Sequence, residues 1–141
     1  MNRTMFLGVG LVLALSPVAG AADLTVALDG LRSDNGILMI AVFDSAAKFR
    51  NEGQEVAALR LRARQGPSRV TLAGLPAGAY AIAAYHDENG NGRLDANLLG
   101  VPTEGYGFSN DARGSFGPPG FDDARFTLGV DGATVTIKIA Y

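Results

Sequence analysis

Cysteine and tryptophan are absent from this chain of 141 residues, and histidine occurs once, as His86. The absence of cysteine excludes a disulfide framework, a thiolate nucleophile, a cysteine-ligated zinc site and a lipid-modified N-terminal cysteine. A single histidine excludes a histidine-rich zinc site, and no serine lies in the Gly-x-Ser-x-Gly sequence of a hydrolase nucleophile elbow. The sequence therefore contains no recognisable catalytic constellation.

The chain also lacks a strong excess of charge, since its net charge is −2 and its basic residues are scattered. No stripe of Lys and Arg marks a nucleic-acid face or a patch for anionic membranes, so neither partner is expected. Hydrophobic residues make up 48% of the chain, which allows a core to form without disulfides or metals. Nineteen glycines and six prolines, with only short apolar runs between them, favour strands and turns over long helices.

The N-terminus has the three parts of a secretory signal peptide. Arg3 supplies a positive charge, residues 5–15 form an apolar run, and Ala19, Gly20 and Ala21 are the small residues that a signal peptidase accepts. The run is too short to cross about 30 Å of hydrocarbon at about 1.5 Å per residue, and no later segment reaches spanning length. We expect a signal peptide at residues 1–21, cleaved before Ala22 or Asp23, one mature domain at residues 22–141, and a periplasmic or secreted location.

Short segments of alternating or continuous apolar residues run through the mature part. They predict seven strands, at residues 23–29, 37–43, 56–64, 69–73, 79–85, 124–128 and 134–141. The continuous run at 37–43 indicates a strand that is buried on both faces, and residues 44–51 are compatible with one helical turn. Short strands with frequent turns predict an all-β fold, an antiparallel β-sandwich of about seven strands and of Ig-like or prealbumin-like type.

The segment from Asp87 to Asp95 has the pattern D-x-N-x-N-G-x-x-D. Oxygen-bearing side chains at every second position, followed by a glycine that permits a sharp bend, are how one short loop wraps a calcium ion. We expect a weak structural calcium site. Its ligands would be the side chains of Asp87, Asn89, Asn91 and Asp95 and the carbonyl oxygen of Arg93.

This pattern departs from an EF-hand at its end. An EF-hand closes with a bidentate Glu, whereas Leu98 occupies that position here, and a strand rather than a helix precedes the loop. Another carboxylate must therefore complete the site: Glu104 is the nearest beyond the loop, and Glu88 could turn inward. The alternative is that the two Asn-Gly pairs form a hydrogen-bonded surface turn that binds nothing.

A second unusual segment is the glycine-rich connection at residues 97–123, which has no clear strand or helix pattern. Connections of this length are functional or disordered, and disordered segments are poor in aromatic residues. We therefore expect an ordered loop whose rings pack against the edge of the sandwich. The alternative is that the rings form a ligand or partner surface beside the Asp87 loop. The four rings are Tyr106, Phe108, Phe116 and Phe121.

Several motifs carry a resemblance to a known family. They are Gly-Ala-Tyr-Ala-Ile at 78–82, the segment at 86–95, and the glycine-rich segments at 100–110 and 117–124. On these motifs the chain resembles the uncharacterised bacterial exported family with domain of unknown function 2141, over essentially the whole mature part. The motif Leu-Pro-Ala-Gly-Ala-Tyr at 75–80 also resembles prealbumin-like and carboxypeptidase-regulatory-like sandwich domains. Those are accessory modules, so the resemblance implies a binding or structural role.

Three hypotheses for function remain open. The first is an exported non-enzymatic module with a calcium-ordered loop, which binds a protein or glycan in the cell envelope or outside the cell. The second is a small envelope hydrolase in which Asp87, Asp95 or Glu104 pair as glycosidase carboxylates do, although the chain has no tryptophan to stack a sugar. The third is a purely structural domain without a ligand.

Overall fold

The structure, a computed structural model, describes residues 20–141. The signal peptide predicted for residues 1–21 lies outside the described residues, apart from its last two, Gly20 and Ala21. Ala21 is the first residue of a strand and pairs with Pro76. Within residues 20–141, no helix has both the length and the apolar character needed to cross a membrane.

Eight strands and very little helix make up the described part of the chain. The strands are β1 (Ala21–Asp29), β2 (Ile37–Phe43), β3 (Ala57–Arg62), β4 (Ser68–Pro76), β5 (Gly78–Asp87), β6 (Tyr106–Phe108), β7 (Phe126–Leu128) and β8 (Ala133–Lys138). The helical elements are a 3-10 helix at Ser109–Asp111 and the four-residue helix α1 at Phe121–Ala124. The predicted all-β class is confirmed.

The strands form two sheets. One has three strands in the order β4-β1-β8, and the other has the order β3-β2-β5-β6, with β7 paired to the first residues of β5. This two-sheet arrangement confirms the predicted sandwich. One strand pair departs from the predicted antiparallel arrangement, because β1 and β8 run parallel. Parallel neighbours require a long connection, and the rest of the domain between the first and the last strand provides it.

The strand that the sequence did not predict is β6, which lies inside the connection of residues 97–123. It has only three residues, and its central residue is Gly107, so it shows no alternation of apolar and polar side chains. Tyr106 pairs with Tyr85 of β5 and also exchanges two backbone hydrogen bonds with Ala140, just beyond β8. β6 therefore links the two sheets along one side of the sandwich.

The main core lies between the sheets. Alternate residues of β1, β2, β5 and β8 supply most of it: Leu24, Val26, Leu28, Leu38, Ile40, Val42, Tyr80, Ile82, Ala84, Val135 and Ile137. Each large apolar side chain in this set stabilises the fold by about 1.5–3 kcal/mol relative to leaving it in water. The period of two in the sequence thus sets which face of each strand is buried.

A second core covers the outer face of the five-stranded sheet. Its buried members are Phe43, Phe49, Ala81, Phe108, Phe121 and Ala124. The ring of Phe49 lies edge-on to three neighbouring Phe rings, at centroid distances of 5.6, 6.0 and 5.9 Å. Phe49 lies at the end of a turn in which its N–H donates to the carbonyl of Ser45. This agrees with the one helical turn predicted for residues 44–51. On the outer face of β2 only Phe43 is fully buried, and the other residues on that face are half-buried. The prediction that both faces of this strand are buried is therefore wrong except at Phe43.

One end of the sandwich gathers the loops that follow from this topology. There β1, β5 and β8 finish and β2 begins, so the connections at 30–36, 63–67 and 88–105 and the C-terminal residues meet. We term it the loop end. Close packing at this end requires a glycine at position 105, because a Cβ on Gly105 would lie 2.5 Å from the ring of Tyr141.

Candidate functional site

Asp87 ends β5 and organises the loop that follows it. Its side chain is fully buried, and its Oδ1 and Oδ2 accept the backbone N–H groups of Asn91 and Gly92 at 3.1 and 2.8 Å. Gly90 and Gly92 have φ values of +72° and +80°, which glycine adopts without steric cost. The two Asn-Gly pairs therefore bend the chain back over the Asp87 carboxylate, which holds the turn closed through charge-assisted hydrogen bonds.

Asn89, Asn91 and Asp95 lie together at the open side of this turn. The side-chain amide of Asn89 donates to Asp95 at 2.6 Å, and that of Asn91 donates to both Asp95 oxygens at 3.0 and 2.9 Å. The backbone N–H of Asn91 donates to Oδ1 of Asn89 at 3.1 Å. The amide hydrogen bonds from Asn91 and Asn89 stabilise the charged carboxylate and lower the pKa of Asp95 below its ordinary value.

Glu104 joins the two ends of this loop. Its side chain is buried, and its two oxygens accept the backbone N–H groups of Glu88 and Asp95 at 2.9 and 3.0 Å. The N–H of Thr103 donates to the carbonyl of Asp95 at 2.8 Å beside it. The sequence placed Glu104 near the loop as a possible extra metal ligand, and the structure brings it there as an acceptor for backbone donors.

Arg93, the remaining predicted ligand residue, is exposed, and its backbone N–H donates to Oδ1 of Asn91 at 2.9 Å. All six predicted ligand residues thus belong to one hydrogen-bonded assembly, at residues 87–104. Their side-chain oxygens are engaged by N–H donors. No group of three or more His, Cys, Asp or Glu side chains in the described part of the chain is arranged to hold a metal ion. The calcium site stays a prediction.

His86, next to Asp87, is the centre of a second network that the sequence did not predict. The ring is fully buried, and its Nε2 donates to the carbonyl of Asn35 at 2.6 Å, because a carbonyl can only accept. In the neutral ring, Nδ1 then accepts the hydroxyl of Tyr141 at 2.5 Å, and that hydroxyl accepts the N–H of Arg32 at 3.2 Å. Both ring nitrogens of His86 are therefore engaged inside the protein.

Glu88 belongs to this second network and does not turn toward the Asp87 loop. It accepts Nε and Nη2 of Arg32 at 3.1 and 2.5 Å and the hydroxyl of Ser33 at 2.9 Å. These hydrogen bonds, the one from Arg32 first, lower the pKa of Glu88. The guanidinium of Arg32 also lies 4.2 Å from the centroid of the Tyr141 ring. No spacing in the sequence indicates these contacts, since Arg32 and Glu88 are 56 residues apart.

The four rings singled out in the 97–123 connection have different environments. Phe108 and Phe121 are buried in the second core, and Tyr106 is half-buried with its ring centroid 6.0 Å from that of Phe108. Phe116 is fully exposed, so the expectation that all four rings pack against the sandwich is wrong at this position. Tyr106 and Phe108 line a groove of about 120 Å³ that also has Arg113 at its surface. Of the four rings, only Phe116 and part of Tyr106 are accessible to a partner.

Comparison with known proteins covers both sheets and the loop end. A family model described as an uncharacterised protein conserved in bacteria, DUF2141, matches residues 26–137. The match begins within β1 and ends within β8, so it includes both sheets and the loop end. No curated protein and no solved structure matches the chain. The family resemblance inferred from the motifs is confirmed, while the likeness to prealbumin-like and carboxypeptidase-regulatory-like domains stays a prediction.

Proposed function

We propose that this chain, which belongs to the uncharacterised bacterial family DUF2141, is an exported, non-enzymatic binding module. We further propose that its loop at residues 87–104 binds calcium weakly. The observation that carries the proposal is the position of Asn91. Its backbone and side chain lie within hydrogen-bond distance of Asp87, Asn89 and Asp95 at once. Three oxygen-bearing side chains, two of them carboxylates, therefore contact Asn91, whose own side chain carries a fourth oxygen.

The amide groups of Asn89 and Asn91 explain how a cation would enter. Both amides now turn their NH₂ groups toward Asp95, which supplies partial positive charge to the carboxylate. A half-turn of either amide would present an oxygen instead, and oxygens facing a carboxylate repel it unless a cation lies between them. Ca²⁺ takes six to eight oxygen ligands at about 2.3–2.6 Å. With few charged ligands and internal hydrogen bonds to displace, we expect a Kd of about 10⁻⁴–10⁻³ M.

The non-enzymatic part of the proposal is supported by the occupation of the side chains that a hydrolase would use. His86 is buried with both ring nitrogens engaged by Tyr141 and Asn35. Both oxygens of Asp87 and both oxygens of Glu104 accept backbone N–H groups. All three side chains are buried, and each of them holds a loop in place, which leaves a substrate little access to them.

Thermal unfolding with and without calcium tests the metal. Calcium at ten times its Kd is expected to add about 1.4 kcal/mol to the free energy of unfolding of chelator-treated protein, which raises Tm by about 4–7 °C. Asp95→Asn keeps the size of the side chain but removes its charge, so it should lose most of this shift. Asp122→Asn is the matched control, because its side chain is 83% exposed on α1, away from the loop. No shift at millimolar calcium, or an equal shift in Asp95→Asn, would contradict calcium binding at this site.

Export and the absence of catalysis need separate tests. When the full chain is expressed in a bacterial host, we expect a mature protein in the periplasm or medium that begins at Ala22 or Asp23, as measured by mass spectrometry. Uncleaved protein confined to the cytosol would contradict export. A screen of glycosides and esters is expected to show no turnover, and turnover that disappears in Glu104→Gln would contradict the non-enzymatic role.

A further inference from the structure

The loop end carries a small protruding hairpin at residues 96–102, which we term the apolar tip. Its sequence, Ala-Asn-Leu-Leu-Gly-Val-Pro, contains no charged residue, and a bridge between Ala96 and Pro102 closes its base. Leu98, Leu99 and Val101 are 106%, 87% and 55% exposed. Three aliphatic side chains that project from one short turn form an apolar spike rather than scattered surface residues.

The tip is held in this shape by Asn97. Its Oδ1 accepts the N–H groups of Leu99 and Val101 at 2.9 and 3.1 Å, and its carbonyl accepts that of Gly100 at 2.9 Å. The N–H of Asn97 itself donates to the carbonyl of Val101 at 2.9 Å. Four N–H groups of the tip are thus satisfied within it. Unsatisfied backbone groups are the main cost of moving irregular backbone into an apolar medium. The tip can therefore leave water without leaving these four N–H groups unsatisfied.

We propose that the apolar tip inserts into the surface of a lipid bilayer and so places the module at a membrane. This deepens the proposed binding role but does not depend on calcium. A lipid surface fits better than a protein partner or a second copy, because three side chains on a convex turn offer far less than the about 800 Å² per partner of a stable protein interface. Lipid chains need no complementary surface of their own.

The chemistry of the tip sets how this binding behaves. Because residues 96–102 carry no charge, insertion should be similar in neutral and anionic vesicles. Insertion of this kind does not need a Lys and Arg stripe, so it differs from the electrostatic membrane contact that the sequence argues against. The three side chains bury less hydrocarbon than a myristoyl chain, so we expect a partition constant below about 10⁴ M⁻¹. Replacing one leucine by Asn should weaken it about tenfold.

The absence of tryptophan from the chain gives a direct test. Leu99→Trp introduces a single tryptophan, whose emission can be excited apart from that of the tyrosines, at the tip of the exported protein. Val130→Trp is the matched control, because Val130 is 67% exposed and follows β7 at the opposite end of β5, about 30 Å away at about 3.3 Å per residue. With phosphatidylcholine vesicles, and equally with vesicles containing phosphatidylglycerol, we expect a blue shift and quenching by brominated acyl chains in Leu99→Trp only. Adding Leu98→Asn should lower the apparent partition about tenfold.

The outcomes separate this inference from the calcium proposal. Quenching at the tip in EDTA, together with no thermal shift by calcium, would support membrane insertion and contradict calcium binding. A calcium shift without quenching would do the opposite. Equal quenching of the Val130→Trp protein, binding to anionic vesicles only, or a blue shift that grows with protein concentration in the absence of lipid would each overturn insertion by the tip; the last result would indicate self-association.

Discussion

Replacing Glu104 by Gln tests whether this buried carboxylate holds the loop end together. Glu104 accepts one backbone N–H on each oxygen, from Glu88 and from Asp95. Gln has the same shape but only one oxygen, so whichever way the amide lies, its NH₂ group faces one of the two backbone donors. The substitution creates no cavity, and its effect therefore measures the polar contacts alone.

The magnitude follows from those contacts. One charge-assisted hydrogen bond is lost, the other becomes a bond between neutral groups, and a part-buried backbone N–H is left unsatisfied at a cost of about 1–3 kcal/mol. We expect Glu104→Gln to lower the free energy of unfolding by about 2–4 kcal/mol. For a domain of this size, Tm should fall by about 8–16 °C.

Urea unfolding measures this loss, with an unchanged m-value as the check that both proteins unfold in the same way. Hydrogen exchange should show faster exchange of the Glu88 and Asp95 amide protons in the variant. Glu52→Gln is the control, since Glu52 is exposed, and it should change stability by less than about 0.5 kcal/mol. A loss below about 1 kcal/mol in Glu104→Gln, or an equal loss in Glu52→Gln, would refute the structural role of this carboxylate.

Two further predictions concern the second core and alkaline pH. Ser109→Ala should lower the free energy of unfolding by about 2–3 kcal/mol in urea, because its buried hydroxyl accepts the N–H of Ile82 at 2.9 Å and donates to the carbonyl of Ala124 at 2.5 Å. Ser115 is exposed, so Ser115→Ala should change the free energy of unfolding little. Equal losses in the two variants would contradict this role of Ser109. Burial raises the pKa of Tyr80 above its ordinary value, so the unfolded chain loses the phenolic proton first and the stability present below pH about 10 declines above it. Tyr80→Phe should make this decline shallower in urea unfolding, and an unchanged decline would contradict a buried phenol.

The sequence by itself determined the parts of this protein that depend on near neighbours. The alternation of Val135 and Ile137 with polar residues predicts a half-buried strand, and β8 follows it. The two Asn-Gly pairs predict a tight turn after Asp87, and the structure forms one around that carboxylate. Side-chain period and the freedom of glycine at positive φ are local properties, so a single sequence contains them.

Only the tertiary structure decided which distant residues meet. β1 and β8 pair in parallel, β6 joins the sheets, and His86 contacts Tyr141, which lies 55 residues further along the chain. The tertiary structure also decided the burial of two phenylalanines in the 97–123 connection: Phe108 is buried in the second core, and Phe116 is fully exposed. These outcomes depend on which surfaces the folded sheets bring together. Hydrophobic burial and hydrogen bonding require groups to be close in space, and the spacing of residues along the chain does not show which distant groups will be close.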